Sequence, residues 1–132
     1  MNTFYTYEGY LASDIKPVIT IEEAHDIYEM LTGQLDENDE ISQELWEDLL
    51  DKCFRYAAIR MQWSLYTREE KMEKDSLRTA VHDSLIISFN VIGRYHKKTG
   101  KDDSWREKLG DNRKRVGDFG CYIAYIHAIN NR

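Results

Sequence analysis

Residues 76–98 read SLRTAVHDSLIISFNVIGRYHKK. Leu77, Val81, Leu85, Ile86, Phe89, Val91, Ile92 and Tyr95 place apolar side chains on nearly every side of a 3.6-residue turn. That distribution marks a helix surrounded by other helices. His96, Lys97 and Lys98 suit the negative end of a helix dipole, and Gly100 suits a left-handed stop. The spacing therefore predicts the central helix of an all-α domain.

Upstream, Thr67-Arg68-Glu69-Glu70 is a capping box. An unbroken helix from there to Thr99 would measure about 48 Å at 1.5 Å per residue. A compact domain of this size does not accommodate it, so a break is expected near Asp75 or Ser76. Before that, Leu45, Leu49, Cys53 and Tyr56 form one apolar stripe. Trp46, Leu50, Ala57, Met61 and Leu65 form the next. Together they predict a helix over about 42–66 that touches two neighbours, capped by Ser42 or Asp39. A first capping box, Thr20-Ile21-Glu22-Glu23, opens a helix over about 21–33 with Ala24, Ile27, Tyr28 and Leu31 inward. Residues 1–19 hold Phe4, Tyr5, Tyr7 and Tyr10 without a period and read as an extended arm closed by Pro17.

Downstream, Asp102-Asp103-Ser104 opens a short helix with Trp105 and Leu109, ended by Gly110. Asp111 then caps a last helix carrying Val116, Phe119, Ile123, Ile126 and Ile129. Gly117 and Gly120 share one of its faces. Glycine costs about 1 kcal/mol in a helix interior, so a close backbone approach to the central helix is expected. The fold class is all-α: a four-helix bundle with one or two short additional helices and an extended N-terminal arm. It forms one domain over residues 1–132, with the arm at 1–19 and the bundle at 20–132.

Composition agrees with a packed domain. The 132 residues are 42% apolar and 32% charged, with only seven Gly and one Pro. Such a chain is neither disordered nor turn-rich β. No basic region followed by an apolar stretch opens it, so no signal peptide is expected. The longest uncharged run, 119–131, is shorter than the ~20 apolar residues of a membrane span. Cys53 and Cys121 lie among apolar residues at helical spacing and read as buried reduced thiols. The expected location is the cytoplasm.

Net charge is −6, unevenly spread: residues 1–51 hold fourteen acids and one base, whereas residues 94–132 come to +5. The two ends are expected to face each other within the fold or across a dimer.

Candidate chemistry rests on polar residues embedded in apolar helices. Asp83, Ile87, Asn90 and Arg94 fall at i, i+4, i+7 and i+11, one stripe, with His82 beside it. The last helix offers Arg113, Arg115 and Asp118. Buried charges need partners, so Asp83 is expected to pair with Arg113 or Arg115, and Arg94 with Asp118. The network fixes helix register, or holds a small anionic ligand or phosphodiester on the arginines with His82 and Asp83 as acid and base, or belongs to a protein-binding surface.

The order of residues from Arg78-Thr79-Ala80-Val81-His82-Asp83-Ser84-Leu85 through Asn90, Arg94, Trp105-Arg106 and Leu109-Gly110-Asp111 to Arg113-Lys114-Arg115-Val116-Gly117-Asp118-Phe119 and Cys121-Tyr122 resembles a family of short, all-helical bacterial proteins of unknown function. The resemblance covers about residues 76–122. It implies a small helical fold and a bacterial source, and carries no catalytic residue with it.

Other constellations are incomplete. Helical nucleotide pyrophosphohydrolases hold magnesium with EExxE and a later ExxD. Glu69-Glu70-Lys71-Met72-Glu73 matches the first, and no ExxD follows it. A looser set joins Glu22, Glu23 and Asp26 to Glu44, Glu47, Asp48 and Asp51 on the next helix. A ferritin-like metal site needs two Glu-x-x-His pairs, and only Glu22-Glu23-Ala24-His25 is present. Neither Ser84, Ser88 nor Cys121 sits in a nucleophile motif. Residues 94–115 hold nine bases and four acids, yet the acidic N-terminal half opposes nucleic acid.

The expectation is a non-enzymatic module that binds a protein partner or a second copy of itself, with no membrane or nucleic-acid role and no cofactor, catalytic or metal residues. The rival is a magnesium-dependent pyrophosphohydrolase-like enzyme using carboxylates of the first two helices, which convergence of those carboxylates would favour.

Overall fold

A computed structural model describes residues 18–60 and 62–130. Those residues fold into five α-helices with no strand among them: α1 (Ile21–Thr32), α2 (Glu40–Arg60), α3 (Arg68–Lys98), α4 (Ser104–Leu109) and α5 (Arg113–Asn130). A 3-10 turn, Trp63–Leu65, joins α2 to α3. Of the arm expected over residues 1–19, residues 1–17 lie outside the described residues. The chain is all-α, as the periodicity predicts.

Both capping boxes form. Thr20 Oγ1 accepts the Glu23 N–H at 3.1 Å, and Thr67 Oγ1 accepts the Glu70 N–H at 3.1 Å while Glu70 Oε1 accepts the Thr67 N–H at 2.9 Å. α2 starts earlier than expected because Asp39 is the cap, its Oδ1 accepting the Ile41 and Ser42 N–H groups. α5 is capped one residue later than expected: Asn112 Oδ1 accepts the Arg115 N–H at 3.0 Å, and Asp111 pairs with Arg106 instead.

The break expected near Asp75 does not exist. α3 runs for 31 residues, about 46 Å at 1.5 Å per residue. Nothing in Arg68–Ala80 interrupts a helix, and Asp75 pairs with Arg78 at 2.7 Å along its surface. Compactness is not violated, because the first third of the helix extends past the core. Residues 68–80 are exposed apart from the half-buried Lys71, Lys74 and Arg78.

α3 is also not the central helix. α2 lies between α3 and α5 and packs along both, whereas α3 and α5 meet only briefly. A Cβ on Gly120 would come 2.7 Å from Leu85 Cδ2, and one on Gly117 would come 2.8 Å from Tyr56 Oη and 3.1 Å from His82 Nε2. The two glycines thus admit side chains from both neighbouring helices. Ile27 and Leu31 of α1, Leu49 and Cys53 of α2, Leu85, Phe89 and Ile92 of α3, and Phe119 and Ile123 of α5 form the core. Trp105 and Leu109 of the short α4 close one side, and Gly110 ends that helix with φ +78°. Cys53 and Cys121 are buried, and burial pushes the Cys53 thiol well above its ordinary pKa.

The acidic and basic ends meet inside the fold. Arg115 Nη1 lies 2.9 Å from Glu23 Oε2, Lys108 Nζ lies 4.0 Å from Asp26 Oδ2, and the Tyr95 hydroxyl donates to Asp39. Among the described residues no helix is long and apolar enough to cross a membrane.

Candidate functional site

The stripe of Asp83, Ile87, Asn90 and Arg94 is real but faces outward. Asp83 and Arg94 are exposed and Ile87 is 59% exposed. The buried face of α3 is its opposite side, with His82, Leu85, Phe89, Ile92 and His96. Asp83 Oδ1 accepts from Arg113 Nη2 at 2.7 Å, so that pair forms, but between two exposed side chains where ion pairs contribute little. Arg94 and Asp118 do not pair. Asp118 is buried; its Oδ2 accepts the Val18 N–H at 2.8 Å and lies 3.4 Å from Lys114 Nζ, tying the start of α1 to α5. Arg115 belongs to the same cluster: its Nη1 donates to Val18 O at 3.5 Å and meets Glu23, while its Nε donates to Leu109 O at 2.9 Å. Asn90 accepts from Arg106 Nε at 2.9 Å. The expected single network is therefore three separate clusters.

One of these clusters opens onto a cavity of about 420 Å³. Its walls are Tyr56 and Arg60 from the end of α2, Arg78, Thr79 and His82 from α3, and Arg113 and Lys114 from the first turn of α5. Four cationic side chains from three helices thus surround one space, and among the described residues no carboxylate lines it. Arg78 is held by Asp75 and lies 4.8 Å above the Trp63 ring. Arg60 lies 5.9 Å from the same ring and pairs with no carboxylate among the described residues.

His82 forms the inner wall. It is 6% exposed, and its Nε2–H donates to Arg113 O at 2.7 Å, which leaves Nδ1 unprotonated in the neutral ring. That Nδ1 is buried and has no hydrogen-bond partner among the described residues. Tyr56 stands edge-on to the ring at 5.1 Å. Burial first, and then the Arg113 charge, hold the His82 pKa below its ordinary value, so the ring is neutral at pH 7. An acid–base pair of His82 and Asp83 is not built, since Nε2 is occupied by a backbone carbonyl and Asp83 faces solvent on Arg113. Sequence reading reached His82 and Arg113 but missed Tyr56, Arg60, Arg78 and Lys114. Arg60 is the last residue of α2, and no local spacing links it to α5.

The carboxylates of α1 and α2 do not converge. Asp48 Oδ2 takes Lys52 at 2.7 Å and the Ser88 hydroxyl at 2.9 Å, Asp51 pairs with Arg55 at 3.0 Å, and Glu23 is held by Arg115. Glu22, Asp26, Glu44 and Glu47 are exposed. Among the described residues no group of three or more His, Cys, Asp or Glu is placed to hold a metal ion. His25 bonds the Tyr122 hydroxyl at 3.0 Å and Glu29 at 2.8 Å.

The projecting third of α3 and the turn before it leave large apolar side chains in water: Leu65 is 58% exposed, Met72 71% and Leu77 52%. Comparison of the chain with family models, curated proteins and solved structures gave no match.

Proposed function

We propose that this chain is a non-enzymatic binding module of the short bacterial helical type that the order of residues 76–122 resembles, and that it engages a protein partner, a second copy of itself first among them. One observation carries this reading: Leu65 in the turn before α3, and Met72 and Leu77 in the exposed first part of that 31-residue helix, present large apolar side chains to water. Large apolar side chains left in water in this way mark a surface that a partner covers. The buried state of Cys53 and Cys121 and the scattering of the acids on α1 and α2 support binding over catalysis.

Sedimentation of the full chain tests the proposal. The native protein is expected to sediment above its monomer mass at roughly micromolar to tens of micromolar concentration, the range of an interface of modest area. Met72→Glu with Leu77→Glu is expected to return it to monomer with its helical circular dichroism intact. A chain that is monomeric throughout, and whose affinity-captured partners are the same for the native and doubly substituted forms, rejects the reading.

A further inference from the structure

Beyond that reading, and independently of it, we infer that the cavity between α2, α3 and α5 is a binding site for a small phosphate monoester. The first ground is charge. Arg60, Arg78, Arg113 and Lys114 line the space with no acid among the lining residues, in a chain of net charge −6. Asp75, Asp83 and Asp118 each meet one of these cations from outside the lining, and Arg60 meets no carboxylate among the described residues, so a dianion placed among the four cations exchanges water for charge-assisted hydrogen bonds.

The second ground is preorganisation. Asp75 holds Arg78 at 2.7 Å and Asp83 holds Arg113 at 2.7 Å, each from outside the cavity, while the Trp63 ring lies beside Arg60 and Arg78. Arg78, held between Asp75 and the Trp63 ring, loses little rotamer freedom when a phosphate arrives, and the planar guanidinium forks match its oxygens.

The third ground is size and lining. A volume of about 420 Å³ falls in the range of small-molecule pockets and exceeds what a bare phosphate fills. The ring of Tyr56 and the methylene stems of the arginines and Lys114 give the remainder apolar walls, which suit the organic part of an ester. Tyr56 and Thr79 add hydroxyls. His82 closes the inner side as a neutral ring, its Nε2–H already committed to Arg113 O.

Calorimetric titration of the full chain with phenyl phosphate, inorganic phosphate and phenol tests the inference, with Arg60→Gln and Arg113→Gln as variants and Arg94→Gln as a control on the exposed face. Phenyl phosphate is expected to bind more tightly than inorganic phosphate, and phenol not at all. Each cavity substitution is expected to weaken phenyl phosphate about tenfold, the loss typical of one charge-assisted hydrogen bond, with Arg94→Gln unchanged. Arg60 has no ion pair to lose, so Arg60→Gln remains decisive if Arg113→Gln folds poorly by circular dichroism. Silence of both phosphates up to about 10 mM, where binding free energy is below roughly 3 kcal/mol, overturns the site. So does equal binding by native and Arg60→Gln protein, or heat from RNA or a phosphopeptide alone. Inorganic phosphate binding as tightly as phenyl phosphate overturns the assignment to an ester.

Discussion

Trp105 shows how one residue can hold an element that would not otherwise persist. α4 has six residues, too few to be a stable helix by itself. It stays because Trp105 and Leu109 are fully buried and because Trp105 Nε1–H donates to His96 Nδ1 at 3.0 Å. That donor requires a bare Nδ1 and hence a neutral imidazole. Burial lowers the pKa of His96, and likewise of His82 and His127. A lowered histidine pKa means that the unfolded chain takes up the proton first. The stabilisation is complete above the unfolded value of 6.5 and is lost as pH falls from there toward the folded values. Carboxylates act lower. Glu23, Asp39, Asp48 and Glu70 have pKa values held below 3.8–4.5 by their hydrogen bonds, so their contribution is lost only under stronger acid. Urea unfolding is therefore expected to show lower stability at about pH 5.5 than at about pH 7.5, with a second loss below about pH 4.5. Equal stability at the two higher values would contradict the neutral, buried histidines. Trp105→Phe removes the donor and strands Nδ1 in the core, an expected loss of about 1–3 kcal/mol before any cavity is counted.

At the scale of elements, α2 rather than α3 organises the bundle, and the contact of α3 with α5 depends on two positions without side chains. Gly120→Ala would drive a methyl to within 2.7 Å of Leu85 Cδ2, and Leu85 is itself fully buried. The helix gains about 1 kcal/mol of propensity from alanine, against an overpacking cost of about 1–3 kcal/mol. Net destabilisation is expected, and Leu85→Ala in the same chain should relieve the clash. The double substitution should then cost about 1 kcal/mol less than the sum of the single ones, within the usual range for residues in contact. Strict additivity would mean that the two helices do not meet there. Element boundaries were largely legible in the sequence where a side chain bonds its own neighbourhood, as in the boxes at Thr20 and Thr67. The length of α3 was not. Local propensity from Arg68 to Ala80 favours helix throughout, and the argument for a break came from an assumption about overall shape. The outward direction of the Asp83 and Arg94 stripe was also misjudged. Apolar residues surround this helix in sequence, but Ile87 and Leu77 are among those left in water, so their presence did not signal burial.

At the scale of the molecule, the cationic cavity and the projecting helix share one origin: both depend on where three helices end relative to one another. Arg60 closes α2, Arg113 opens α5, and Arg78 and Thr79 lie where α3 leaves the core. No periodicity carries such information, which is why the sequence placed His82 and Arg113 in one polar network but did not join them to Tyr56, Arg60, Arg78 and Lys114. The same arrangement divides α3 into two regimes of stability. Residues 82–96 are anchored by Leu85, Phe89, Ile92 and His96 at 2% exposure or less. Among the described residues, residues 68–80 rest on the Thr67 box, the Asp75–Arg78 pair, and ring contacts of Lys74 with Tyr66 at 5.3 Å and Arg78 with Trp63 at 4.8 Å. Local opening free energy follows burial, so the two parts of one continuous helix should exchange amide hydrogens on different timescales. Hydrogen exchange of the full chain is expected to be at least about tenfold faster over residues 71–79 than over residues 84–95, a difference of about 1.4 kcal/mol in opening free energy. Trypsin under native conditions should cut within residues 68–80 before it cuts within residues 84–98. The contrast should narrow at protein concentrations where chains associate, because a partner laid along Met72 and Leu77 would bury the same amides. Uniform protection along α3 in the dilute monomer would mean that the projecting third is stabilised from within the chain, and would remove the reason for assigning it a partner.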